Sequence, residues 1–253
     1  MINYVFKRYE LKYALTYNQY LAVLPEIKKR LTSDKFGLNT IQSLYYDTEN
    51  YRLIRESIER PAFKEKLRLR GYNLNENDDD IYVEMKRKYD GVVYKRRIAC
   101  KEREVEDVLN GKAATTQIGR ELEYFSKYYG NLKPSMLIIY DREAYYDENS
   151  DLRVTFDKNV RYRKTDLNFH TSLGGENLLP EDVVLMELKI GSALPLWICE
   201  VINKEKIVKT SFSKYGTAYR LEQEKINELR GKIICLNRFS ATETSRRSAF
   251  SSL

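Results

Sequence analysis

The sequence predicts an antiparallel, strand-dominated α+β fold, and three observations predict it. Segment after segment alternates apolar and charged residues with period two, which marks half-buried strands. Stretches of helical period, several ending at glycine, fall between those strands. No repeat and no Pro/Gly-rich linker divides the 253 residues, so residues 1–236 read as one domain and 237–253 as a disordered, basic, Ser/Thr-rich tail.

Taken in chain order, Tyr9, Leu11 and Tyr13 alternate with Arg8, Glu10 and Lys12 to make a first strand. Thr16 then caps a helix with Tyr20, Leu24, Ile27 and Leu31 on one stripe, which Pro25 is expected to kink or split. The apolar run Ser43, Leu44, Tyr45, Tyr46 reads as a strand. Leu67 and Leu69 alternate with Lys66, Arg68 and Arg70, and Val83 and Met85 with Glu84, Lys86 and Lys88. Val93 leads into Tyr94, Lys95, Arg96 and Arg97. Helices over Glu102 to Asn110 and Ile118 to Tyr129 end at Gly111 and Gly130. Met136 to Tyr140 is a further apolar strand. Leu152, Val154 and Phe156 alternate with Arg153, Thr155 and Asp157, and the run Leu185 to Ile190 puts Glu187 and Lys189 on a shared side. Pro195 suits the first turn of a helix through about Asn203, and a last helix is expected from about Tyr219 to Cys235.

Composition excludes several chemistries. His170 is the one histidine, in a polar loop from Asn168 to Asn177, so a multi-histidine metal site is excluded and a histidine-based triad nearly so. Cys100, Cys199 and Cys235 are odd in number and form no C-x-x-C pair, which argues against a disulfide framework or zinc knuckle. Neither a signal peptide nor a membrane span of about 20 apolar residues is present, so the expectation is a cytoplasmic protein. Lys and Arg exceed Asp and Glu by 44 to 37, a formal charge of +7 that suits an anionic partner.

The alternating charges admit two geometries. They face water as weak cross-strand ion pairs, or the sheet closes into a barrel whose charged faces line a lumen. A lumen crowded with cations repels itself until an anion fills it, and a triphosphate or longer phosphate chain fits best.

In order along the chain, Arg8-Tyr9-Glu10-Leu11-Lys12, Lys66-Leu67-Arg68-Leu69-Arg70, Val83-Glu84-Met85-Lys86, Tyr94-Lys95-Arg96, Tyr140-Asp141-Arg142, Leu152 to Asp157, Leu185 to Lys189 and Phe212-Ser213-Lys214-Tyr215 together resemble a known family. It is the catalytic domain of the vacuolar transporter chaperone (VTC) polyphosphate polymerases, in the triphosphate tunnel (CYTH-like) superfamily. The resemblance spans about residues 4 to 221. It implies a closed antiparallel β-barrel tunnel of about eight strands flanked by helices. The implied activity is growth of inorganic polyphosphate from the γ-phosphate of ATP with release of ADP. Lys12, Arg68, Arg70, Lys86, Lys95, Arg142, Arg153, Lys189 and Lys214 stand where the resemblance puts substrate contacts, with Arg68, Arg70, Lys86, Lys95 and Lys214 closest to catalysis. Glu187 looks like the ligand of Mn²⁺ or Mg²⁺, and Tyr140 like the aromatic that contacts adenine. Two positions depart from the pattern. Arg8 replaces the first glutamate of a Glu-x-Glu-x-Lys signature, and Ser211 stands where a lysine is usual, with Lys209 two residues away.

These residues suit phosphoryl transfer, which asks mainly for positioning and charge neutralisation. A terminal phosphate oxygen is already ionised, so no general base is needed. Arg68 and Arg70 share a face and can each fork onto phosphate oxygens. ATP and inorganic polyphosphate are the expected partners, nucleic acid is not, and any membrane or regulatory partner would be a separate chain. The competing readings are a tunnel triphosphatase and a non-catalytic module that binds polyphosphate or RNA. No P-loop and no RNA-binding aromatic motif is present.

Overall fold

Each of the alternating segments becomes a strand, and all join one antiparallel sheet. The computed structural model describes residues 9–59, 61–73, 79–90, 92–112, 115–191 and 193–230. The expectations for Arg8, Cys235 and the 237–253 tail lie outside the described residues.

The strands are β1 (Tyr9–Thr16), β2 (Thr32–Ser33), β3 (Asn39–Asp47), β4 (Phe63–Tyr72), β5 (Asp80–Tyr89), β6 (Val92–Lys101), β7 (Lys133–Tyr146), β8 (Arg153–Arg163), β9 (Glu176–Asn177), β10 (Val183–Ile190) and β11 (Lys209–Thr210). Their order is β11-β1-β10-β8-β7-β3-β4-β5-β6, with β2 against β7 and β9 against β8. The closed barrel of about eight strands is therefore corrected. The sheet has eleven strands and curls without closing. β11 occupies the outer edge of β1, pairing Lys12 with Thr210 and Tyr13 with Lys209, so that edge is not offered to β6. Side chains span the gap instead: Lys86 of β5 donates to both carboxylate oxygens of Glu10 on β1, each at 3.1 Å.

Helices cover the convex face. α1 (Tyr17–Arg30) begins in a capping box, with Thr16 Oγ1 accepting from the Gln19 amide and Gln19 Oε1 from the Thr16 amide. Pro25 does not split it. The carbonyl that loses its partner belongs to Leu21, which lies on the exposed side where water can satisfy it. Tyr20, Val23 and Ile27 of α1 and Ile198 of α5 (Leu196–Lys204) bury against Leu15, Val154, Phe156, Met186 and Leu188 of β1, β8 and β10. Each fully buried aliphatic side chain there contributes about 1.5–3 kcal/mol, and Ile27→Ala would cost about 2–5 kcal/mol. A second convex core joins Leu67, Leu69, Val83 and Met85 to Val105 and Val108 of α3 (Val105–Leu109) and Leu122 and Phe125 of α4 (Gln117–Tyr129). Gly111 and Gly130 follow these two helices with φ of 91° and 72°, as their sequence positions imply.

Two further helices reach the concave side. α2 (Arg52–Ile58) was not expected, because seven residues carry too little period to read. Asp47 holds it, accepting from the amides of Leu53 at 2.9 Å and Ile54 at 3.0 Å. The final helix, α6 (residues 214–230), starts five residues before the expected Tyr219. Its Tyr215 stacks on Tyr45 of β3, with centroids 4.4 Å apart, and donates to Asp47 at 2.8 Å. Tyr215 and Ala218 pack with Ile41, Ile54, Met136, Ile138, Val160 and Tyr162, so one part of the concave face is apolar and filled. The remainder is charged.

Candidate functional site

Period two puts Arg68 and Arg70 on the face of β4 opposite its buried Leu67 and Leu69, and the register carries that face across the sheet. Lys66 pairs with Lys86, Arg68 with Glu84, and Lys86 with Lys95. At the other limb of the curl, Lys12 pairs with Glu187 and Glu10 with Lys189. The charged faces thus turn toward one another, and the Lys86–Glu10 contact joins the two limbs.

Two carboxylates organise the cations. Glu84 is almost fully buried and receives Arg68 at 2.7 Å, Arg70 at 3.7 Å, and Lys95 as an ion pair. Burial pushes its carboxyl up, but Arg68, Arg70 and Lys95 outweigh that and hold it well below the usual carboxylate range. Asp157 of β8 is gripped bidentately by Arg142 at 2.5 and 2.7 Å and also by Lys214 from α6. Burial again raises its pKa, and Arg142 and Lys214 bring it down to about 2. Among the described residues, Lys12, Lys66, Arg68, Arg70, Lys86, Lys95, Arg142, Lys189 and Lys214 face only Glu10, Glu84, Asp157 and Glu187 in this pool. That is nine cations against four carboxylates, a local excess of five positive charges.

The excess leaves marks on neighbouring groups. Burial pulls the Lys66 ammonium down to about 8, where Lys86 and Lys12 add repulsion against the help of Tyr45. Lys95 is likewise lowered to about 8, by burial, with Glu84 opposing. Burial raises the Tyr45 phenol, but Arg68, Lys66 and Arg70 overcome it and lower it to about 8. Arg68 Nη1 donates to the Tyr45 hydroxyl at 3.1 Å. Four polar atoms facing the pool, Arg70 Nε, Ser43 Oγ, Thr155 Oγ1 and Glu84 Oε1, are buried without a hydrogen-bond partner among the described residues, although Arg70 Nε and Glu84 Oε1 each take part in an ion pair. An anion rich in acceptor oxygens answers the two deficits together.

The candidate residues do not all stand alike. Lys12, Arg68, Arg70, Lys86, Lys95, Arg142, Lys189, Lys214 and Glu187 come together in the pool. Arg153 lies in register with Lys189, but it is an exposed rim residue whose guanidinium reaches Asp34 at 2.6 Å. Tyr140 is 2% exposed, accepts from Arg70 at 3.2 Å, and carries Lys214 and Arg142 over its ring at 4.4 and 5.1 Å. In this conformation it is part of the wall and not an open platform for a base. Lys209 does not stand in for the lysine missing at Ser211. Its partner Tyr13 packs in the convex core, so Lys209 points away from the pool. Lys66, Tyr45 and Asp157 belong to the site although they were not singled out. Lys66 had a legible signal, two residues before Arg68 on the same face.

Glu187 faces Lys189 at 2.8 Å and Lys12 at 3.8 Å, and its field acts on Glu10. No group of three or more His, Cys, Asp or Glu side chains gathers as a metal cage among the described residues. This donor set fits a divalent ion that arrives with phosphate oxygens and takes Glu187 as its protein ligand, as hard cations with retained water commonly do. It does not fit a resident ion held by protein alone. His170 sits in its loop against Glu102 at 2.6 Å, away from the pool's residues. Among the described residues, no helix is long and apolar enough to cross a membrane.

The model of the VTC domain matches residues 7–222. No curated protein matches the chain. Among solved structures, a candidate adenylate cyclase from Bacillus halodurans superposes with a TM-score of 0.52 at 11% identity, covering 83% of this chain and 94% of its own. A candidate adenylate cyclase from Vibrio parahaemolyticus covers 86% of this chain and 99% of its own, at 11% identity and a TM-score of 0.47. A candidate adenylyl cyclase from Hippeastrum, described as having a dominant triphosphatase activity, covers 82% and 93% at 11% identity and a TM-score of 0.43. At such identities the first of these likenesses speaks for a shared fold.

Proposed function

Because the chain belongs to the VTC domain family, we propose that it transfers the γ-phosphoryl group of ATP to the end of a growing inorganic polyphosphate, releasing ADP. The observation that carries this reading is the uncompensated pool: five more cations than carboxylates, beside buried Arg70 Nε, Ser43 Oγ and Thr155 Oγ1 that make no hydrogen bond among the described residues. Charges partly held out of water at that imbalance are costly, and a polyphosphate chain removes the cost.

In this reading Glu84 and Asp157 are placeholders. Entering phosphates take over the donors that the carboxylates hold in their absence: Arg68, Arg70 and Lys95 from Glu84, and Lys214 from Asp157. Arg68 and Arg70 grip phosphate oxygens in forks, while Lys12, Lys66 and Lys86 act as point charges on compact oxygens. The two limbs of the curled sheet bring donor and acceptor phosphates into line, and the fixed cations stabilise charge as it moves to the leaving oxygen. Glu187 would hold a divalent ion, which would supply further charge neutralisation. The attacking phosphate oxygen is already ionised, so no proton acceptor is required.

The test is incubation with ATP and Mn²⁺ or Mg²⁺, followed by gel resolution of chain length and assay of orthophosphate. Long chains with stoichiometric ADP support the reading. Orthophosphate alone would overturn it in favour of triphosphate hydrolysis. Polyanion binding with no turnover would leave a binding module.

A further inference from the structure

Growth of a phosphate chain needs no base, yet one hydroxyl in the pool stands against an amine placed to act as one. Ser213 is the N-cap of α6: its Oγ accepts from the Gly216 amide at 3.2 Å, and its carbonyl accepts from the Thr217 amide at 2.7 Å. The same Oγ receives the Lys66 ammonium at 3.1 Å. Among the described residues that hydroxyl is the hydrogen-bond partner of the Lys66 side chain, and no carboxylate forms an ion pair with it. Burial, with repulsion from Lys86, Lys12 and Lys64 and with the Tyr45 phenol opposing, holds the Lys66 amine down at about 8. Part of the population is therefore the free amine near neutral pH, as suits a lysine acting as a base. Ser43 Oγ and Thr155 Oγ1 also face the pool, but neither has a hydrogen-bond partner among the described residues, so neither has a base beside it. The residues flanking Ser213 reach into the pool as well: the Phe212 carbonyl accepts from Lys12 at 3.0 Å, and Lys214 pairs with Asp157.

We propose that Ser213 is the first phosphoryl acceptor: the γ-phosphoryl group of ATP passes to its hydroxyl with Lys66 as the base, and the resulting phosphoserine primes the chain. This rests on the reading of the pool as a phosphoryl-transfer site. The free amine of Lys66 takes the Oγ proton as Oγ attacks the γ-phosphorus. The Oγ–P bond forms, the bond from that phosphorus to the β,γ-bridging oxygen breaks, and the electron pair leaves with ADP. What remains is a phosphoserine and a Lys66 ammonium. The Gly216 amide occupies one lone pair of Oγ, which leaves the hydroxyl proton free to point at Lys66 Nζ. The product suits its surroundings: a dianionic group at the N-terminus of α6 is favoured by the helix dipole, and the ammonium that the step restores lies beside it. Its terminal oxygens are ionised and are the same kind of nucleophile that chain growth uses.

The experiment incubates the full chain with ATP and Mn²⁺ without added polyphosphate, then reads the denatured protein by intact and peptide-resolved mass spectrometry. The wild type is expected to gain phosphate on Ser213, and a chase with more ATP is expected to lengthen that adduct. Ser213→Asn keeps a helix cap without a hydroxyl, and it is expected to lose both the adduct and unprimed growth while still elongating added tripolyphosphate. Lys66→Arg keeps the charge but holds its proton, and it is expected to slow adduct formation on the order of a hundredfold. The proposal is overturned by an adduct that maps to Tyr45 or Lys66, that forms at the wild-type rate in Lys66→Arg, or that does not lengthen in the chase. Unprimed growth in Ser213→Asn, or polyphosphate made by the wild type with no phosphate on the protein, overturns it equally. A wild type that neither binds tripolyphosphate nor consumes ATP refutes the phosphate pool, and this proposal with it.

Discussion

Glu84→Gln is expected to weaken the fold and strengthen ligand binding at once. The Glu84 side chain is 1% exposed and neutralises Arg68 at 2.7 Å and Arg70 at 3.7 Å, which are themselves 17% and 8% exposed. Removing one partner of such a buried pair costs about 3–5 kcal/mol, because the other charge is left without its counter-ion. Lys95, the third cation, is 41% exposed and its share is screened by water. Gln retains an acceptor, so the lower end, about 3 kcal/mol, is the reasonable figure. For a chain of this size that lowers the melting temperature by about 10 °C. The same substitution removes the carboxylate that competes with phosphate for Arg68, Arg70 and Lys95. Tripolyphosphate should therefore bind the variant more tightly and restore much of the lost stability, about 2.7 kcal/mol at a hundred times its dissociation constant. Thermal melts of both proteins with and without tripolyphosphate make the comparison. Equal melting temperatures, or a variant that tripolyphosphate does not rescue, would refute the idea that Glu84 holds the place of a phosphate.

Arg68→Ala with Arg70→Ala should abolish tripolyphosphate binding and turnover, and adding Glu84→Gln should recover stability without recovering binding; calorimetry and melts together separate the two effects. Affinity for tripolyphosphate should fall as pH rises through about 8, because Lys66 and Lys95 lose their protons there, and binding above that pH should take up protons from buffer. The unliganded fold responds with the opposite sign: the unfolded chain holds protons on Lys66, Lys95 and Tyr45 that the native state has already released, so stability rises as pH climbs from about 8 toward about 10. At the acid end, Asp157, lowered to about 2, should cost stability as pH drops from about 4 to about 2, which an acid-unfolding curve of Asp157→Asn against wild type would expose. Lys209→Ala should leave phosphate affinity unchanged, whereas Lys214→Ala should reduce it several-fold; equal losses would contradict the register that turns Lys209 outward.

Alternation and helix-end signals carried most of the fold. Leu67, Arg68, Leu69 and Arg70 alternate strictly, and no other assignment satisfies them. The site was legible for the same reason, since charges at period two share a face whatever the partner strands. Lys66 obeys that rule and is readable on the same face. Tyr45 and Asp157 were not readable as site residues. Tyr45 lies in an apolar run, and its place beside Arg68 comes from the pairing of β3 with β4. Asp157 meets Arg142 only through the pairing of β7 with β8. Closure is the larger miss. A two-residue strand, Lys209–Thr210, leaves almost no periodic signal, yet it takes two positions on the edge of β1. Strand-to-strand neighbours fix such outcomes, and a one-dimensional pattern does not encode them.

That open edge changes how a polymer could be loaded. Where a hoop of amide hydrogen bonds would oblige cargo to be fed end-first, the clasp between Lys86 and Glu10 is one ammonium on one carboxylate. Mobile ions weaken such a latch while leaving the sheet's ladders untouched. Under the proposed polyphosphate reading, ionic strength would set how readily that latch slips beside a bound chain.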